Sequence, residues 1–395
     1  MTRSSGSVSF AHWPHHAPDE LAAVHRVLAS GRTNYWTGNE ARCFEREYAK
    51  YLGRRHAIAL NNGTLALELA LVALGVGPGD EVVTTARTFI ASASAAVMRG
   101  AKPVLADVDR DSGNLTPATL EPVLTPRTKA VVPVHLGGWP AEMPGVMELA
   151  RTHGVAVIED CAQAHGATID GRPVGSFGDF AAFSFCQDKI LTTGGEGGLL
   201  TTDEERWWRD AWAFKDHGKS YEAMYERKHP PGFRFVYDSF GTNWRMLEAQ
   251  ATIGRLQLKK LPLWHDRRRE IGTRYATAFT PLAALRVPRP PARMRHAYYR
   301  FYAYVRLAAL RTGWDRQRIV DEVAAAGVPC FVGSASELYL ERAFVDSGFA
   351  PAKRLPVASE LGDTALALLC HPTLSDESIE RTIEVVCEVV ARATR

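Results

Sequence analysis

Four short polar segments carry residue types and spacings that could do chemistry. They are Asn62-Gly63-Thr64, Thr88-Phe89, Asp160-Cys161-Ala162-Gln163 and Ser184-Phe185-Cys186-Gln187-Asp188-Lys189. Gly63-Thr64 stands between a short apolar run and a strongly helical one. A helix N-terminus offers unpaired N–H groups and the positive end of a dipole, which suits a phosphate. Glycine lets the backbone approach such a group, and Thr64 adds a hydroxyl. Asp160 follows the apolar run Val155–Glu159. A carboxylate there can pair with a protonated pyridine nitrogen and keep the ring an electron sink. Lys189 closes a Ser-x4-Lys segment and is followed by the glycine-rich Thr192–Gly198. A lysine that forms a Schiff base must be deprotonated to attack, which calls for a partly desolvated site near positive charge. The glycines let backbone pass close to a bulky ligand, and Phe89 reads as an aromatic ring stacked on it. Taken singly, each feature has a plainer explanation: a capped turn, a solvated loop acid, a surface lysine, a core aromatic.

The elements around these segments alternate. Ala57–Leu60 reads as a strand and Leu65–Leu74 as a helix, stopped by Gly75, Gly77, Pro78 and Gly79. Strands at Glu81–Thr84, Pro103–Ala106, Lys129–Val134 and Val155–Glu159 alternate with helices at Phe89–Met98, from about Pro117, and at Gly145–Thr152. Phe180–Ser184 and Gly198–Thr201 read as further strands. Short apolar strands between helices imply βαβ units, hence an α/β fold with a mostly parallel sheet covered on both faces. In such sheets ligands gather at the carboxyl ends of the strands. All four polar segments stand at such ends, and together they supply what pyridoxal 5'-phosphate (PLP) needs. After residue 200 the character changes. Residues 217–242 lack apolar periodicity and read as a long loop holding Lys219, Arg227, Lys228, His229 and Arg234 among Tyr221, Tyr225, Phe233 and Tyr237. A helix is expected from Met246 to Leu261, with strands in His296–Leu307 and helices at Asp315–Ala325 and Asp376–Ala393, the last started by Ser375. The expected division is a large domain over 1–255 and a smaller α+β C-terminal domain over 256–395.

Composition narrows the function classes. The chain has 395 residues, 46% of them apolar, and a formal charge of +3. A large core can be buried, and nothing points to nucleic acid as a partner. The six cysteines are scattered, with no CxxC pair and no clustered histidines, so neither a disulfide framework nor a metal site is expected. The N-terminal stretch has no long apolar run and no segment reads as membrane-spanning. A reducing, cytoplasmic setting is the natural expectation.

Phe183–Gly198 (FSFCQDKILTTGGEGG) resembles the lysine signature of the DegT/DnrJ/EryC1/StrS aminotransferase family. Glu159–Gly166 (EDCAQAHG), Thr88–Ala95 (TFIASASA), Gly241–Gly254 (GTNWRMLEAQATIG) and the Trp36–Gly63 stretch are similar to other signatures of that family. The resemblance implies PLP-dependent transferase fold type I and a homodimer. It implies amination of a keto sugar, nucleotide-linked, with glutamate or glutamine as donor, in amino-sugar, polysaccharide or antibiotic-sugar biosynthesis. Residue by residue, it makes Lys189 the Schiff-base lysine and Asp160 the partner of the pyridine nitrogen. Gln163 would lie near the phenolic oxygen, and Phe89 would stack on the ring. Gly63, Thr64 and Ser184 would hold the phosphate, and Asn243 would reach the phosphate of the neighbouring subunit's cofactor. Four places depart from the common pattern. Asn62 replaces a serine or alanine, and His135-Leu136-Gly137-Gly138 lacks a tyrosine after the leucine. Cys186-Gln187 replaces a His-Pro-like pair, and Cys330–Phe344 differs from a histidine-containing version. A keto-cyclitol or aminoshikimate-type substrate is the alternative. A branch that performs C3 dehydration carries histidine in place of the lysine, which Lys189 argues against. The intact Lys189, Asp160 and Gly63-Thr64 set argues against a non-catalytic regulator on the same fold.

Overall fold

The computed structural model describes residues 8–230, 232 and 234–395. Its centre is a seven-stranded sheet. The order across it is His56–Leu60, Gly198–Thr202, Phe180–Ser184, Ala156–Asp160, Thr128–Val132, Glu81–Thr85 and Lys102–Ala106. Gly198–Thr202 runs antiparallel to both of its neighbours, and the other pairings are parallel. The carboxyl ends of the six parallel strands therefore share one edge. Leu60, Thr85, Asp160 and Ser184 all lie on it, so the four polar segments of the sequence meet there.

Strand periodicity explains how both faces are filled. Ala57 and Ala59 join one buried cluster, with Ala181, Phe183 and Leu199. Ile58 and Leu60 join the cluster on the other face, with Phe180, Ala182 and Leu200. Successive side chains point to opposite faces, so a strand buried on both sides must be apolar throughout. Helix Gly63–Ala73 covers the second face, with Ala66, Leu67, Leu69, Ala70 and Leu71 buried in that cluster.

A four-stranded antiparallel sheet forms the smaller half, ordered Leu285–Arg286, Arg300–Val305, Ala365–Leu369 and Cys330–Phe331. Helix Asp376–Ala393 packs on it and starts where Ser375 implies, since the Ser375 hydroxyl accepts the Ser378 amide at 3.1 Å. The helix expected to end at Leu261 instead runs from Glu248 to Phe279, straight through Pro262. Proline removes one hydrogen bond, but tertiary burial of Leu261, Ile271, Tyr275 and Phe279 along one stripe outweighs that loss. The boundary expected near 255 falls inside this helix. Ala251 and Leu261 belong to the core of the large sheet, and Ile271, Tyr275 and Phe279 to that of the small one.

The segment read as a loop over 217–242 contains a short helix, Tyr221–Tyr225, capped by Ser220. Its Tyr221 packs against Trp208 and Trp212. Five residues are too few for a periodic pattern to show. Among the described residues no helix is long and apolar enough to cross a membrane, and all six cysteines are free.

Candidate active site

The turn after the first strand is built to receive an anion. Asn62 is the N-cap of helix Gly63–Ala73, and its side-chain oxygen accepts the Leu65 amide at 2.9 Å. That explains the asparagine where the sequence pattern favours serine or alanine. The Ala66 amide reaches the Asn62 carbonyl at 3.3 Å. The amides of Gly63 and Thr64 are the orphan donors of the first turn. A side chain at Gly63 would put its Cβ 2.6 Å from that of Ser184, so only glycine lets the helix end lie against this serine. Gly198 is equally constrained, because a Cβ there would come within 2.1 Å of the Asn62 carbonyl oxygen. The start of the helix, Gly63-Thr64, thus lies beside Ser184, an arrangement of amides and hydroxyls that fits a phosphate group.

Asp160 is the last residue of its strand and is 6% exposed. Ser92 donates to Oδ2 at 2.8 Å and the Ala162 amide to Oδ1 at 3.1 Å. The Thr88 hydroxyl lies 2.9 Å from that of Ser92. Since the Ser92 proton goes to the carboxylate, Thr88 donates to Ser92, and the pair fixes the orientation of Asp160. Burial pushes the Asp160 carboxyl up, against the pull of the Ser92 and Ala162 hydrogen bonds. Such a carboxylate, buried and without a cation in contact among the described residues, fits a protonated ring nitrogen.

Lys189 is 17% exposed at its side chain, and its Nζ lies 3.3 Å from Asp188 Oδ1. The other Asp188 oxygen accepts the Tyr299 hydroxyl, and Lys189 Nζ lies 5.1 Å from the centre of the Tyr299 ring. The Lys189 carbonyl accepts the Trp13 indole N–H at 2.7 Å, which pins the lysine turn to the N-terminal segment. Burial works against the Asp188 carboxylate, but the Lys189 ammonium and the Tyr299 hydroxyl outweigh it and hold the acid below its usual range.

The other expected contacts divide. Gln163 is buried, and its side-chain oxygen accepts the Gly137 amide at 2.7 Å. Gly137 adopts φ +64°, and a Cβ there would come within 2.8 Å of the Tyr302 ring. The tyrosine missing from the His135–Gly138 turn therefore has a counterpart from the small half. Phe89 is 67% exposed, a free ring beside the Thr88–Ser92–Asp160 chain. Asn243 is exposed and is not gathered with these residues. Its neighbour Trp244 offers a carbonyl to the Asn61 amide at 3.2 Å, so the segment runs beside the cradle of its own chain.

Several supporting residues escaped the sequence reading although they lie inside the quoted motifs. His165 receives a hydrogen bond on Nδ1 from the Tyr48 hydroxyl at 2.7 Å and donates from Nε2 to the Ser184 carbonyl at 2.9 Å. Burial pushes its imidazole down to about 4, so it stays neutral and holds Ser184 in place. His135, Glu159 and Cys161 lie close enough to suggest a metal centre. The lone pairs of His135 and Glu159 are committed elsewhere, and burial pushes the Cys161 thiol up, against the thiolate a metal needs. Glu159 accepts the amides of Gly175, Phe177 and Gly178 at 2.7 to 2.8 Å and faces His135 Nε2 at 3.1 Å. His135 Nδ1 accepts the Ala141 amide, so Nε2 carries the proton. The cluster braces the strand end that carries Asp160.

A family model described as the DegT/DnrJ/EryC1/StrS aminotransferase family matches residues 14–387. The chain is 37% identical over 376 residues to UDP-N-acetyl-3-dehydro-alpha-D-glucosamine 3-aminotransferase of Acidithiobacillus ferrooxidans, covering 94% of this chain and 95% of that one. It is 37% identical to GDP-perosamine synthase of Caulobacter vibrioides, with coverages of 88% and 89%. Among solved structures, an aminotransferase from Psychrobacter cryohalolentis superposes with a TM-score of 0.96 at 52% identity, covering 98% of this chain and 100% of that one.

Proposed function

Because the chain belongs to the DegT/DnrJ/EryC1/StrS aminotransferase family, whose members work with PLP, we propose that it moves an amino group from glutamate or glutamine to a nucleotide-linked keto sugar. The observation that carries this reading is the meeting of Lys189, the buried Asp160 and the Gly63–Ser184 cradle at one edge of the sheet. The names of the UDP- and GDP-linked relatives support the substrate class.

PLP supplies an electron sink for the carbanion that forms when an amino acid loses its α-proton. The protein's part is to hold and orient. Gly63, Thr64 and Ser184 would hold the phosphate, and Asp160 would hold the ring nitrogen in its cationic form. Gln163 would face the phenolic oxygen, and Phe89 would cover one ring face. Lys189 would hold the cofactor through Nζ, and its free amine would be the base that moves the α-proton. Asp188 and Tyr299 keep it within reach, since they fix where the freed amine rests.

The loop before Asn243 is our proposed grip on the substrate diphosphate, through Arg227, Lys228 and Arg234. Lys219, expected to share in this, is buried and paired with Asp216 at 2.7 Å, so it serves the fold instead. Arg227 rests on Asp238 at 3.1 Å, an exposed pair that a diphosphate can displace. The test is amination by the PLP-loaded protein of UDP-, GDP- and dTDP-linked keto sugars against a free keto sugar and a keto-cyclitol. Turnover is expected only with the nucleotide-linked set, and neutralising the three cations should raise its KM about tenfold or more. Equal turnover of the free sugar or the cyclitol would sink the substrate reading.

We also propose that the working form is a homodimer in which Asn243 reaches the partner's phosphate cradle. Phe235, Tyr237, Phe240 and Leu247 flank Asn243 and are strongly exposed, with Phe240 99% exposed. An apolar patch of this kind is an interface signal. Light scattering should show a dimer, and Phe235→Asp with Phe240→Asp should give a folded monomer that has lost activity. A fully active monomer at assay concentration would rule the arrangement out. The free cysteines agree with a cytoplasmic setting, to be checked by cell fractionation.

A further inference from the structure

An amino donor arrives with an α-carboxylate, and a buried carboxylate needs a cation. Lys189 cannot be that cation, because its nitrogen is committed to the chemistry. The strand Arg300–Val305 offers another. Phe301, Ala303 and Val305 point into the core of the small half. Arg300, Tyr302 and Tyr304 therefore point the other way, toward the large sheet. A Cβ at Gly137 would run into the Tyr302 ring, and the Gly137 amide donates to Gln163. Tyr304 lies against the buried Arg87 guanidinium, 5.6 Å from ring centre to Cζ. Arg300 completes this row at the level of the lysine. Its Cζ lies 4.8 Å from the centre of the Tyr299 ring, the ring that also carries Lys189 Nζ at 5.1 Å.

Arg300 is half-buried, and among the described residues no carboxylate or carbonyl holds its guanidinium. The neighbouring acid is already engaged: both Asp188 oxygens are occupied, by Lys189 and by Tyr299. Arg268, on the long helix, is buried with its Nη1 bonded to the Tyr298 and Cys370 carbonyls, while its Nε and Nη2 have no hydrogen-bond partner among the described residues. Its positive charge, like that of Arg300, bears on the buried His371, which burial first and these two cations next push down to about 3. The approach to Arg300 is set by a backbone that resists relaxation, because Tyr298 holds φ +48° two residues earlier.

We propose that the Arg300 guanidinium receives the α-carboxylate of the amino donor and so fixes the donor's amine over the Lys189 position. This rests on the aminotransferase reading above. A planar guanidinium meets a carboxylate through two parallel hydrogen bonds, which sets orientation as well as affinity. The same cation then serves every amino-acid donor, whatever its side chain, and is idle toward a sugar acceptor that has no carboxylate.

The test uses the PLP-loaded protein, Arg300→Gln and Arg300→Lys. Calorimetry with glutarate, the donor skeleton without its amine, reads the site without turnover, and neutral glutaramide is the control. The parent should bind glutarate and not glutaramide. Arg300→Gln should raise the glutarate Kd roughly 10–100-fold, the range of one charge-assisted contact. Arg300→Lys should fall between. In single half-reactions, Arg300→Gln should raise the KM for L-glutamate by a similar factor and leave that for the keto sugar unchanged. An unchanged glutarate Kd in Arg300→Gln overturns the proposal, and so does an equal loss with donor and acceptor. Should the parent transfer no amino group at all, the functional reading fails, while the glutarate titration still decides the role of Arg300.

Discussion

Lys189→Ala protein will take up PLP yet yield no PLP adduct by mass after borohydride reduction, and its turnover will fall on the order of 10⁴-fold, the upper end of what a general acid–base group contributes. The uptake follows from the cradle. Gly63, Thr64 and Ser184 are placed by the capped helix and by His165, and none of these contacts involves the lysine. The loss follows because no other amine among the described residues stands at that place. Arg300 and Arg268 stand near, but a guanidinium stays protonated and cannot act as the base. Trp13 bonds the lysine's backbone carbonyl, so the turn keeps its shape in the variant. A reduced adduct in Lys189→Ala, or near-parental amination by it, would remove the lysine from its assigned role.

Much of this site could be read from the chain alone, for a physical reason. The βαβ alternation fixes where carboxyl ends lie, and it sets Gly63, Thr64, Asp160 and Lys189 at such ends, although each alone has a plainer structural use. The roles of Gln163 and Ser184 come from the family resemblance, and the strand ends beside all of these residues share one edge of the sheet. The residues that orient them are not legible in this way. Ser92 lies on a helix of small residues, where a serine looks like filler, and only the fold aims it at Asp160. Tyr299 and Arg300 come from a strand more than a hundred residues after Lys189, and no local pattern couples the two segments.

Other elements were misjudged because tertiary packing overrides local signals. Pro262 reads as a stop, yet the helix continues because its stripe from Leu261 to Phe279 is buried by both halves. Lys219 reads as a free loop cation, yet it closes on Asp216, which also holds Arg245 at 2.6 Å and the Trp36 indole at 2.7 Å. Charge alone cannot tell a grip on substrate from a buried ion pair, since that depends on which acid lies opposite.

Asp160→Asn separates stability from catalysis, because the parent's carboxylate is costly until a cation meets it. Burial raises its pKa in the fold above the ordinary 3.8 of an aspartate. The folded state then holds its proton more tightly than the unfolded chain does. Stability from this group is greatest in acid, and it declines as pH rises from the unfolded pKa through the raised one. At neutral pH a charged, desolvated Asp160 weakens the PLP-free protein, and the amide removes that charge while still accepting from Ser92, at the loss of the Ala162 bond. The PLP-free variant should melt no lower than the parent. With PLP the order should reverse, since a pyridinium restores the ion pair in the parent and finds no counter-charge in the variant. The gain in Tm on adding PLP should be smaller, and the proton-transfer half-reactions should slow roughly 10²–10³-fold, the cost of removing one fixed electrostatic partner from a reacting centre. Measured rates equal to the parent's at saturating PLP would exclude Asp160 as the ring-nitrogen partner. An equal Tm gain in both proteins would show that its charge never meets the cofactor.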